Sequence, residues 1–252
     1  MYSLSLKHMA ALAGLSAATL LPVSLIAETA VSPSIEQNTR SSFDKQEILS
    51  VAGKVADWQI KEFPNNKYAV SEPKGWIAGA LYLGMYDWAE LSGDTQYFDW
   101  LKKVFNRQHW QVADRMYHAD DVCVSQTYLD MYNKYKEEKM LLPTVARIDW
   151  VINNPSKGGL DIDYSKPVTY ERWSWCDALF MAPAVYTRLY TLTGNKKYMM
   201  FADTEFKATY NHLYDKDEKL FFRDSRYFGQ KEANGKKVFW GRGNGWVIGG
   251  LA

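Results

Sequence analysis

A turn spelled Leu91-Ser92-Gly93-Asp94 returns about 100 residues later as Leu192-Thr193-Gly194-Asn195, and its surroundings return with it. Ahead of the first turn, Ile77, Ala80, Leu81, Tyr82, Leu83, Met85, Tyr86 and Trp88 make Trp76 to Leu91 apolar nearly all round; Ala178 to Leu192 repeats the pattern. A helix of that kind is buried on every side. After the first turn, Tyr97, Phe98, Leu101, Val104 and Phe105 alternate at helical spacing with Asp99, Lys102, Lys103 and Arg107, which marks a half-wet partner helix. Tyr198 takes the place of Tyr97 in the second copy. Asp120 to Tyr135 and Leu142 to Ile152 supply another pair between them, so a helical hairpin recurs roughly every 50 residues. Gly194 suits a left-handed helix end, and Pro183 predicts a kink in its helix.

Asp44 followed by Glu47 predicts a capping-box start, with Ile48, Val51, Ala52 and Val55 continuing at helical spacing to a helix that ends before Pro64. Strand-like alternation is nearly absent. Inner apolar helices alternating with amphipathic outer ones fit an all-α fold, a toroid of hairpins of the (α/α)6-barrel type, better than a four-helix bundle with one shared core. A closed six-hairpin ring at this period takes roughly 300 residues. Residues 44–252 hold about four hairpins and a start, and the sequence stops in the apolar run Trp246 to Ala252, where a terminal repeat normally presents a polar face. The expectation is a catalytic domain over 44–252 that is a partial barrel, truncated on its C-terminal side.

Lys7 and His8 precede an apolar run from Met9 to Ala27 broken by Gly14, Ser16, Pro22 and Ser24, the pattern of a signal peptide over residues 1–27. Residues 28–43 are a polar linker without periodicity. A periplasmic or secreted product follows, without stable membrane insertion once the signal is removed. Cys123 and Cys176 are the only cysteines; an oxidising compartment would permit pairing, but the packing habits of cysteine favour two buried free thiols. The formal net charge of +1 gives no field for nucleic acid. Aromatic residues make up 15% of the chain, and flat rings with polar tips stack well on sugars, as they also do in helical cores.

In a ring of hairpins the inner helices run parallel and their N-terminal ends gather at one mouth. Trp76 opens the first, His118-Ala119-Asp120-Asp121 the second, Trp173-Ser174-Trp175-Cys176-Asp177 the third and Arg242-Gly243-Asn244-Gly245-Trp246 the next. Carboxylates, indole rings and a guanidinium from distant segments are therefore expected to face one cavity. Each has an ordinary alternative: Asp120, Asp121 and Asp177 are good helix caps, Trp76 and Trp175 suit a core, and Arg242 suits a surface. The glycines around Arg242 follow no strand and do not make a dinucleotide loop. His118 and His212 lack a second His at ligand spacing, so neither a metal nor a cofactor is expected.

The segments Arg115 to Asp121, Trp173 to Asp177 and Trp240 to Trp246 together resemble glycoside hydrolase family 105, the unsaturated rhamnogalacturonyl hydrolases, and its relative family 88, the unsaturated glucuronyl hydrolases. The resemblance runs from about Asp44 to the last residue. It implies a six-hairpin barrel in which Asp177 is general acid and base, Asp120 or Asp121 is the second carboxylate, and Trp175, Arg242 and Trp246 hold substrate; Trp76 and His118 are further candidate substrate contacts by their place at the shared mouth. Where some members carry a His two dozen or so residues before the Arg, this chain has Phe221-Phe222-Arg223-Asp224-Ser225-Arg226. The implied reaction removes a 4,5-unsaturated uronic acid from the non-reducing end of a pectin-type oligosaccharide by hydrating its enol ether, an exception among glycosidases. Two other readings remain: a different sugar-processing α-barrel, either an inverting glycosidase or a polysaccharide lyase, and a non-catalytic carbohydrate-binding chain.

The apolar run ends in small residues, so the mature N-terminus is expected between Ala27 and Ala30. Intact-mass measurement of exported protein checks this, and retention of residues 1–26 would remove the signal peptide.

Overall fold

The structure is a computed structural model and describes residues 44–65 and 72–252. The signal-peptide segment and most of the linker lie outside those residues. The first helix, α1 (Lys45–Glu62), is capped by Asp44, whose carboxylate accepts from the Gln46 N–H at 2.9 Å. That is one residue short of the Glu47 N–H used by a reciprocal capping box, so the start is a single cap.

Three hairpins and a further helix follow. Helix α2 (Trp76–Ser92) pairs with α3 (Thr95–Arg107), and α4 (Ser125–Tyr135) with α5 (Leu142–Asn153). The short α6 (Ala178–Met181) leads into α7 (Pro183–Thr193), which pairs with α8 (Lys196–Leu213); α9 is Gly241–Leu251. The repeated turn does two jobs within two residues. Gly93 and Gly194 close their helices in the left-handed region, at φ 71° and 69°, where a Cβ would be strained. Asp94 and Asn195 then cap the next helix by accepting from Gln96 N–H at 2.9 Å and Lys197 N–H at 3.1 Å. So short a link forces antiparallel neighbours, and every helix preceding such a turn runs in the same direction.

These same-direction helices lie side by side, α2 on α4, α4 on α7 and α6 on α9, while α5 packs on α8 behind them. The core has two parts. One, between α2, α3 and α4, is built on Tyr82, Leu101, Phe105 and Tyr128, with Phe105 edge-on to both tyrosines at centroid separations of 4.9 and 4.7 Å. The other gathers Leu179, Met181, Val185, Leu189 and Tyr198 from α6, α7 and α8.

Three expectations change. Helix α2 is not buried on every side: Ile77 is 43% exposed and Leu91 64% exposed. Pro183 does more than kink a continuous helix. The helix is interrupted for one residue, Ala182, whose backbone stays right-handed (φ −105°, ψ −44°) and whose N–H still donates to the Ala178 carbonyl at 3.2 Å, and the proline takes the first position of α7, where its missing N–H costs nothing. A two-stranded antiparallel hairpin, β1 (Tyr214–Asp215) with β2 (Leu220–Phe221), follows α8; strands of two residues are too short to show alternation. Among the described residues no helix is long and apolar enough to cross a membrane.

Two close approaches fix where the N-terminal ends of the inner helices meet. A Cβ on Gly79 of α2 would lie 3.0 Å from both the Cys123 sulfur and the Val124 nitrogen, and a Cβ on Gly243 of α9 would overlap the Trp240 ring and the Cys176 sulfur. Backbone at Cys123 and Val124 cannot rotate aside, so Gly79→Ala pushes α2 away from the turn that carries Asp120. Overpacking of this kind costs about 1–3 kcal/mol. Gly79→Ala is therefore expected to lower the melting temperature by several degrees; an unchanged value would mean that this contact does not hold the turn.

Candidate active site

The N-terminal ends of α2, α6 and α9 and the 3-10 turn Ala119–Val122 that precedes α4 open on one cavity of about 420 Å³. Trp76, His118, Asp120, Trp175, Asp177 and Arg242 all line it, as do Arg115, Tyr164, Tyr170, Arg172, Arg223 and Trp240. The structure separates the two neighbouring carboxylates. Asp120 faces the cavity. Asp121 does not line it: it is buried, accepting from the Arg115 backbone N–H at 2.7 Å and from Arg115 Nε at 2.9 Å. Asp121 thereby closes the loop leading into the turn, and Arg147 straps the same loop by donating to the carbonyls of Ala113, Arg115 and Met116. Trp246 is likewise outside the lining; its ring packs on Phe180 at 4.6 Å and edge-on to Trp76 at 6.0 Å, bracing the Trp76 wall from behind.

Capping, the ordinary role for these aspartates, falls elsewhere. The side chain that caps the 3-10 turn is His118, whose Nδ1 accepts from the Asp120 N–H at 3.3 Å. An accepting Nδ1 carries no proton, so the ring is the neutral Nε2–H tautomer. Burial, with the Arg115 guanidinium adding to it, drives the His118 pKa down to about 4, in agreement with that neutral state. Asp177 precedes α6 but makes no side-chain capping bond to it.

Both cavity carboxyls are pushed toward the protonated form. Burial raises Asp120 to about 7, and the Asp177 charge adds to the shift against the pull of Arg115 at 3.5 Å. Burial also raises Asp177, opposed by backbone N–H groups at the start of α6 and by the Arg223 and Arg242 guanidiniums. Two carboxyls in one desolvated space titrate as a pair that keeps a proton at pH values where a free aspartate has lost it.

The remaining walls differ in character. His118, Trp175, Tyr170 and Tyr164 form a continuous file of rings, with centroid separations of 5.1, 6.1 and 5.9 Å, leading from the carboxyls to the exposed Tyr164. Cations line the cavity as well. Arg172 is committed to Glu205 through bonds of 3.0 and 2.8 Å, whereas Arg242 lies over the Trp240 ring at 4.8 Å. A cavity with an acidic floor, an aromatic wall and a cationic wall suits an anionic sugar. Among the described residues no cluster of His, Cys, Asp or Glu is arranged to hold a metal ion.

Sequence reasoning did not select Arg115, Tyr164, Tyr170, Arg172, Arg223 or Trp240 as site residues. Arg115 and Trp240 stand inside two of the quoted motifs, so that signal was present. Tyr164 and Tyr170 belong to an irregular stretch between α5 and α6 with no periodicity to read.

Residues 51–252 match Glycosyl Hydrolase Family 88. The chain is 36% identical to an unsaturated 3S-rhamnoglycuronyl hydrolase of Alteromonas sp. (strain LOR), over 82% of this chain and 55% of that one. It thus spans little more than half the length of that relative. Among solved structures, a polysaccharide lyase superposes with a TM-score of 0.62 at 25% identity, covering 80% of this chain and 59% of the other. A glycosyl hydrolase family 88 protein from Bacteroides vulgatus superposes at 0.63 and 22% identity, over 82% and 60%. The latter likeness concerns the fold, which is of the (α/α)6-barrel type. With four-fifths of its length inside the family match, the chain belongs to glycosyl hydrolase family 88.

Proposed function

We propose that this chain is the substrate-handling part of an unsaturated uronyl hydrolase, which removes a 4,5-unsaturated uronic acid from the non-reducing end of an oligosaccharide by hydrating its enol ether. One observation carries the reading: two desolvated carboxyls, Asp120 and Asp177, share a cavity with sugar-stacking rings and guanidiniums, and both are pushed toward holding a proton. A general acid working near neutral pH needs that upward push. Asp177 protonates C4 of the unsaturated ring, water adds at C5 and returns its proton to Asp177, and the resulting hemiketal opens to release the remaining sugar. Positive charge gathers on the ring in the transition state and is offset by Asp120 when that carboxyl is ionised. Arg242 forks onto the uronate carboxylate, and Trp175 stacks on the sugar face.

The relative's name supports a rhamnose beside the uronate. The pectin-type, rhamnogalacturonan substrate and the family 105 placement belong to the same reading and rest on the three sequence motifs. Export to the periplasm or medium, where such oligosaccharides are met, is proposed with it on the strength of residues 1–27. A lyase is the second reading, favoured by the likeness to a solved lyase and by Tyr164 and Tyr170 at the cavity, since a lyase uses a tyrosine base. The two differ in the sign of one signal. A hydrolase removes the ultraviolet absorbance of the conjugated uronate, and a lyase creates it.

Asp177→Asn is expected to lower turnover of an unsaturated disaccharide by about 10² to 10⁴, the usual scale for a general acid. Its melting temperature should not fall, because no side-chain capping bond is lost and the neutral amide removes a charge that burial disfavours. Near-normal turnover would remove the mechanism.

The pKa of Asp120 is raised from 3.8 unfolded to about 7 folded, so between those values the folded chain holds a proton that the unfolded chain has released. This contribution to stability is complete below pH 3.8 and is lost as pH rises through about 7. Asp120→Asn cannot ionise. Relative to the parent it is expected to be as stable at pH 4 and more stable at pH 8, by up to roughly a few kcal/mol. Equal melting temperatures across that range would mean that Asp120 ionises freely in the fold.

A further inference from the structure

Asp177 stands at the head of α6, a helix of a single turn that gives way to α7 at Pro183. A helix leaves carbonyls at its C-terminal end that need donors from elsewhere. Two of these, Phe180 and Met181, accept from one side chain, Gln126 of α4, whose Nε2 lies at 3.1 and 3.3 Å. Gln126 is 3% exposed and does not line the cavity. Its amide fits only one way round: Nε2 donates to the two carbonyls, and Oε1 accepts from Arg188 Nη1 at 3.3 Å. Arg188 is steadied in turn by Asp130, Nε to Oδ1 at 2.8 Å. Asp130 lies one turn beyond Gln126 on α4 and Arg188 lies on α7, so both helices brace the amide.

Backbone bonds carry this clamp to both carboxyl-bearing residues. On one side, the Phe180 and Met181 N–H groups donate to the Asp177 carbonyl at 3.0 and 3.2 Å, so the two residues that Gln126 holds by their carbonyls hold Asp177 by their amides. On the other side, the Gln126 N–H donates to the Cys123 carbonyl at 3.1 Å, and the Cys123 N–H donates to the Asp120 carbonyl at 3.2 Å. Among the described residues, Gln126 makes the only hydrogen bonds between residues 119–126 and α6.

We infer that Gln126 is a positioning residue: by clamping the end of α6 to the segment that carries Asp120, it sets how closely the Asp120 and Asp177 carboxyls approach each other. The spacing belongs to the fold, and its catalytic consequence rests on the reading of Asp177 as general acid. Gln126 touches none of the other charged groups around the pair. Asp120 is faced by Arg115, Asp121 and His118, and Asp177 by Arg223 and Arg242. Removing the clamp leaves those groups in place and lets two like-charged carboxyls draw apart, which weakens the repulsion that helps Asp120 keep its proton. A change in the titration of the pair therefore reports its spacing.

The test compares the parent chain with Gln126→Met, which keeps the volume and removes the donor, and with Arg188→Lys, which keeps a cation beside Asp130 and loses the fork that orients the amide. The aspartate carboxyl carbons are titrated by carbon NMR, with Asp120→Asn and Asp177→Asn assigning the two signals. Turnover of an unsaturated disaccharide is followed over the same pH range. In Gln126→Met the midpoint of Asp120 is expected to fall from about 7 by about one pH unit. The kcat should drop about ten- to a hundredfold with KM changed less, as when a reacting group is misplaced. Arg188→Lys should show the same changes at smaller size. A lowered melting temperature with the parent's titration and kcat would assign Gln126 to stability alone and overturn the inference. A drop in kcat with an unchanged titration overturns it too. If Gln126→Met does not fold, Arg188→Lys decides by the same criteria. Should the parent show no turnover, the hydrolase reading fails while a shifted titration still upholds the clamp; turnover with identical titrations overturns the clamp alone.

Discussion

The mouth of this protein depends on how closely helix ends approach the sulfur-bearing turns beside them. Gly79 lets α2 settle against the backbone at Cys123 and Val124, and Gly243 lets α9 settle against Cys176. Cys123 follows directly on the turn that carries His118 and Asp120, and Cys176 directly precedes Asp177. Removing one Cβ on each side thus brings two carboxyls from distant segments into one desolvated space. Their raised pKa values follow from that geometry: burial comes first for both, and for Asp120 the Asp177 charge adds to it.

The polar residues around this floor divide between holding and waiting. Asp121, Glu205 and Asp224 are buried acceptors, each saturated by an arginine, and they fix the loops from which Asp120, Trp175 and Arg223 project. Partnered charges of this kind are costly to break, so they stiffen their surroundings. Arg242 is left without a hydrogen-bond or ion-pair partner among the described residues and lies over Trp240, where a ligand meets a donor that has no internal anion to give up.

Much of this was legible because the helices announce themselves. The Gly-Asp and Gly-Asn turns place a helix end and a helix start two residues apart, and the apolar runs between them have a period that local sequence can show. Directionality followed from short links, and with it the gathering of Trp76, Asp120, Asp177 and Arg242 at one end. The choice between Asp120 and Asp121 was not legible. It depends on which way a 3-10 turn rotates, and that is set by His118 capping from within, by Arg115 of the loop before it, and by Arg147 reaching in from α5. Trp246 lay in the right motif but outside the cavity lining, since helical spacing does not reveal that its ring packs on Phe180 and Trp76. Tyr164 and Tyr170 stood in a stretch held by loop hydrogen bonds, such as Thr169 with Asp163, that leave no periodic trace.

Cys123 and Cys176 are buried free thiols, and burial pushes the Cys176 pKa up to about 12. Only a thiolate that solvent can reach is reactive, so in the closed fold both sulfurs are silent toward oxidants and alkylating reagents. Because each sulfur sits where a helix end rests, it is uncovered when that end lifts. The rate at which a thiol reagent labels the native chain is therefore a clock for local opening at the cavity mouth, read without ligand and without any engineered probe.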